Sequence, residues 1–183
     1  DKLPLNSLTF AKLEKDKGIN ASYFFRSVPY SYKPSVIRAI EKMGHEIGYH
    51  YEVMDQVKGN LNKALEIFIN NLDKFRNVAE IETICMHGSP MSKYNNRELW
   101  DKFNYHNYGI IGEPYFDIDY SKVLYLTDTG RSWSNEETNI RDKVESPFFY
   151  EIKNTDQLIE LINKKELPNQ IMLNTHPQRW NDD

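Results

Sequence analysis

The feature that most constrains this chain is a recurrence: a short strand-like run, then polar residues, then a helical stretch. The strand-like runs are Ile19 to Arg26, His45 to Tyr49, Thr83 to Met86, Val123 to Leu126 and Gln170 to Leu173. Helical periodicity fills Pro4 to Lys17, Lys33 to Met43, Leu61 to Arg76 and Thr155 to Lys164, with a shorter stretch around Glu98 to Phe103. Alternation of this kind predicts an α/β fold with a mainly parallel sheet. Right-handed βα units would open all the strand ends on one face. Four of these ends carry ligand-type side chains, at His50, His87, Asp128 and His176, and their recurrence points to a site built on that face.

Local punctuation supports these boundaries. Pro34 and Ser35 open a helix whose apolar face is Val36, Ile37, Ile40 and Met43, and Gly44 ends it. Pro4 suits a first helical turn, Leu5, Leu8, Ala11 and Leu13 give that helix an apolar face, and Gly18 stops it. Thr155 is expected to cap the last helix, over Asp156 and Gln157. His45 directly follows a helix C-terminus, where the dipole favours a His without any chemistry. His50, with Glu52 and Asp55, reads either as the core of a metal site or as a surface His beside loop acids.

Composition narrows the function classes. The 183 residues suffice for one domain with a sizeable core. With 23 basic against 27 acidic residues and no basic block, nucleic acid and anionic membrane are not expected partners. The single Cys85 cannot form an internal disulfide, and no long apolar span or signal peptide is visible, which predicts a cytoplasmic protein without a transmembrane segment. Twelve Tyr, nine Phe and three Trp fit sugar-stacking surfaces and a well-packed core equally.

Several segments together resemble the NodB-like polysaccharide deacetylases (carbohydrate esterase family 4), in a divergent branch associated with bacterial surface-polysaccharide genes. Gly44-His45-Glu46-Ile47-Gly48-Tyr49-His50 is similar to that family's GHEIGxH segment, and Gly18 to Phe25 resembles its GIxATFF strand. Leu173-Asn174-Thr175-His176 is similar to the closing LxxH motif, and Asp128 with Trp133 to the acidic-plus-Trp motif. The resemblance implies a single domain over residues 1–183, a deformed (β/α) barrel of about seven parallel strands whose first strand would lie before residue 1. It implies a divalent metal, zinc foremost, held by Asp1, His50 and His87, with His176 as catalytic acid and Asp128 behind its ring. Asp1 would take the metal-binding Asp position, leaving the base Asp upstream. Arg26, Trp133 and Trp180 are the implied substrate contacts.

Two departures follow from the same comparison. The family expects a second His four residues after His50, where Met54 stands, and a thioether is a poor ligand for a hard ion; Asp55, Glu52 or His87 is left to complete the shell. His87-Gly88-Ser89-Pro90 occupies the place of the family's Arg-x-Pro motif. The expected activity is metal-dependent hydrolysis of N-acetyl groups on an amino-sugar of a surface polysaccharide or its precursor. The alternative is a non-catalytic carbohydrate-binding or scaffold protein, and a weaker one is another metal-dependent hydrolase on a related barrel.

Overall fold

The structure, a computed structural model, describes residues 4–89, 92–129, 132–133 and 144–180. The chain divides into two compact units, one formed by residues 1–116 with 177–183 and the other by residues 117–176.

In the first unit the order is α1 (Pro4–Asp16), β1 (Ser22–Phe25), α2 (Pro34–Lys42), β2 (Glu46–Tyr51), α3 (Leu61–Arg76) and β3 (Ile84–Met86). The three strands form a parallel sheet in the order β1-β2-β3, with Phe24 opposite Gly48 and His50 opposite Cys85. After β3 come 3-10 turns at Asn96–Asp101 and Tyr105–Tyr108, and a short turn of helix, α4 (Pro114–Asp117). Ile47, Tyr49 and Tyr51 alternate into the core, where Tyr49 packs on Phe68 and Phe75 of α3. Because strand side chains alternate between faces, His50 is turned away from that aromatic stack.

Glycine is required twice around β2. Gly44 adopts φ +92°, in the left-handed region that a helix C-terminus commonly needs. Gly48 makes room for its neighbour: a Cβ there would lie 2.3 Å from two ring carbons of Phe24.

The second unit contains β4 (Leu124–Thr127), α5 (Thr155–Asn163) and β5 (Ile171–Asn174), with β4 and β5 paired in parallel. Its core gathers Leu124, Leu126, Trp133, Ile152 and Leu158. The cap of α5 is Asn154, whose side chain accepts from the backbone N–H of Gln157, and not Thr155 as the sequence predicts. The Thr155 hydroxyl is already taken, as acceptor for the Trp133 indole N–H at 3.2 Å.

The α/β class and the parallel pairing agree with the sequence, but the barrel of about seven strands does not. The described residues form five strands in separate sheets of three and two. A barrel requires each strand to have two neighbours, whereas among the described residues β4 and β5 pair only with each other. The polar and aromatic segment after β3 forms 3-10 turns in place of a further βα unit; its one addition to the sheet is an isolated bridge from Gly112 to Thr83. The predicted apolar face of α1 is also corrected. Ala11 is buried and Leu8 packs partly buried on the core as expected, but Leu5 and Leu13 are exposed, and Ser7 is buried. No described helix is long and apolar enough to cross a membrane.

Candidate functional site

The carboxyl edge of the β1-β2-β3 sheet collects four polar side chains from three strand ends. Arg26 follows β1, His50 and Glu52 lie at the end of β2, and His87 follows β3. Arg26 Nη2 donates to Glu52 Oε2, and Nη1 donates to the Tyr30 hydroxyl at 2.8 Å. The other carboxylate oxygen, Glu52 Oε1, lies 3.1 Å from His87 Nδ1. That approach is close but off the line a hydrogen bond needs, so His87 Nδ1 and Arg26 Nε are both buried without an aligned partner. The rings of His50 and His87 meet edge to face with centroids 5.1 Å apart.

Charge states follow from these contacts. Burial alone would raise the Glu52 carboxyl, but the contacts with His87 and Arg26 outweigh it and hold it at about 2. His50 is held well below the ordinary imidazole range, first by burial and then by His87. Its Nδ1–H donates to the Cys85 carbonyl at 2.9 Å, so the neutral ring carries its lone pair on Nε2.

Behind the edge, two buried side chains knit the loops together. Asn96 Oδ1 accepts from Val53 N at 2.9 Å and Met54 N at 3.0 Å, while its Nδ2 donates to the His87 carbonyl at 3.0 Å. Glu113 is fully buried and accepts from Met86 N at 2.9 Å and Tyr115 N at 2.6 Å. Sequence reasoning missed both. Nothing in the sequence signals Glu113, and the only hint of Asn96 was the paired Asn95-Asn96 in a polar stretch.

The second unit has its own carboxylate–imidazole pair at the ends of β4 and β5. Asp128 Oδ1 lies 2.5 Å from His176 Nδ1, and Oδ2 accepts from the His176 backbone N–H at 2.9 Å. Asp128 N in turn donates to the Asn174 carbonyl at 3.1 Å. The carboxylate is buried, while the His176 side chain keeps 29% of its surface exposed. This grip fixes the tautomer, with the proton on Nδ1 facing the carboxylate and Nε2 free of it.

The other predicted site residues fall as follows. Asp1 lies outside the described residues. Trp133 is buried in the core of the second unit, bonded to Thr155, and offers no stacking surface. Trp180 is 36% exposed, with its ring 6.0 Å from that of Phe10. Asp55 is exposed at the start of a 3-10 turn, and Met54 is a core residue. His45, buried at 4% exposure, is structural: its Nε2–H donates to the Ala11 carbonyl and its Nδ1 accepts from Ala21 N.

Zinc takes three or four N, S or O ligands around one point. Two neighbouring imidazoles and an ionised carboxylate are the right chemistry. Glu52, however, is committed to Arg26, and no group of three or more His, Cys, Asp or Glu among the described residues is placed to hold a metal ion. The described residues therefore do not make a metal shell by themselves. Comparison with models of known families, with curated proteins and with solved structures returned no match.

Proposed function

We propose that this chain is a hydrolase that removes the N-acetyl group from an amino-sugar of a bacterial surface polysaccharide or its precursor, acting in the cytoplasm. The observation that carries the proposal is the two-point grip of Asp128 on His176, through the ring Nδ1 and the backbone N–H. The likeness of Leu173 to His176 to the closing deacetylase motif supports it.

In this reading His176 Nε2 takes a proton from the water that adds to the acetamide carbonyl, and returns that proton to the departing amine as the C–N bond breaks. The products are acetate and the free amino-sugar. Asp128 keeps the ring in one orientation through these steps, so that the proton is delivered from a fixed point.

The test is acetate release from N-acetylated amino-sugar oligomers by the purified chain, with the de-N-acetylated oligomers as control. The assay is run after chelation and again with added zinc. Acetate from the N-acetylated substrate alone supports the proposal, and its absence under both conditions defeats it. Stimulation by zinc would mean that residues outside the described set complete a metal shell.

A second reading rests on Met54. A buried core thioether where the family has a second His favours a non-catalytic carbohydrate-binding protein, for which the same oligomers would bind without acetate release.

A further inference from the structure

We infer that Asn96 is the positioning residue that sets the spacing between Glu52 and His87. The two lie in different loops, one after β2 and the other after β3; within the first, Gln56 Nε2 donates to the Glu52 carbonyl at 2.6 Å. Asn96 is 4% exposed and reaches both loops at once. Its Oδ1 takes the consecutive N–H groups of Val53 and Met54, directly after Glu52, and its Nδ2 takes the carbonyl of His87 itself. These are three backbone groups that no helix or strand satisfies, and a buried backbone group left unpaired is costly.

Only an amide of this length supplies the set. Asp at position 96 keeps both acceptor contacts and loses the donor, which turns a carboxylate oxygen toward the His87 carbonyl. Ala loses all three. Asn96 acts through Glu52 and His87; it is not itself a reacting group. Neighbouring Asn95 has a different task, accepting from Arg97 N to cap the 3-10 turn.

The inference goes beyond the proposed hydrolase and is tested independently of acetate release. The first measurement uses the unaltered protein: amide hydrogen exchange of Val53 and Met54, which is expected to be slow although both lie outside helix and strand. Exchange at the rate of open loop amides would overturn the inference. The second follows the imidazole NMR signals in Asn96→Asp and Asn96→Ala. Asn96→Asp is expected to stay folded and to shift the signals of His87 and His50 while leaving those of His176 in place. Asn96→Ala is expected to shift the same signals and to lower the melting temperature by about 5 °C or more. Unchanged His87 and His50 signals in the folded Asp variant would overturn the inference, leaving Asn96 as packing.

If the wild type releases no acetate, the hydrolase reading fails while the exchange and imidazole results still decide the role of Asn96.

Discussion

Replacing Glu52 with Gln gives the most quantitative check on the strand-end cluster. The Glu52 side chain is 22% exposed and its carboxyl is held at about 2, against 4.5 ordinarily. Burial works against this shift, and the contacts with His87 and Arg26 more than offset it. A carboxyl depressed on folding adds stability that is present above its unfolded pKa and is lost as the pH falls toward the folded one. Integrating that linkage gives roughly 3 kcal/mol at pH 7 and roughly 2 kcal/mol at pH 3.5. Gln cannot ionise, so Glu52→Gln loses the whole of this pH-dependent part, plus a pH-independent cost for leaving Arg26 unpaired. The assay is urea unfolding of both proteins at pH 7 and pH 3.5, compared at equal m. The stability gap between wild type and variant should narrow by about 1 kcal/mol on acidification, because every other carboxylate is common to both proteins. A gap that stays constant, or widens, would refute the depressed carboxyl and the contacts assigned to it.

Gly48→Ala places a methyl against the Phe24 ring and should cost about 1–3 kcal/mol in chemical denaturation, with most of it recovered when Phe24→Ala is added. His45→Ala removes the link between the Ala11 carbonyl and Ala21 N, and should cost about 2 kcal/mol or more, read by thermal melting. Asp128→Asn keeps the shape of the pair but weakens its hold on the ring, and should slow acetate release by about a hundredfold with little change in melting temperature.

Much of the secondary structure was legible because it rests on local signals. The Pro34 start and Gly44 stop of α2, and the apolar period of α3, are set by residues adjacent in sequence. Closure of a sheet is not local. The same short runs serve a barrel or two open sheets, and the choice fell to the segment after β3, which coils into 3-10 turns. The pairing of Asp128 with His176 was legible because both stand at the ends of strands that pair with each other. Asn96 and Glu113 were not, since a buried polar residue that serves distant backbone groups leaves no periodic trace. Trp133 shows the converse: a motif match made the residue a substrate contact, and packing against Ile152 and Leu158 put it in the core.

The central claim, that His176 under the grip of Asp128 protonates the departing amine, is tested most directly by His176→Gln. Acetate release from N-acetylated amino-sugar oligomers should fall by at least about a hundredfold while the melting temperature stays within a few degrees of wild type. Undiminished acetate release from the folded variant would contradict it.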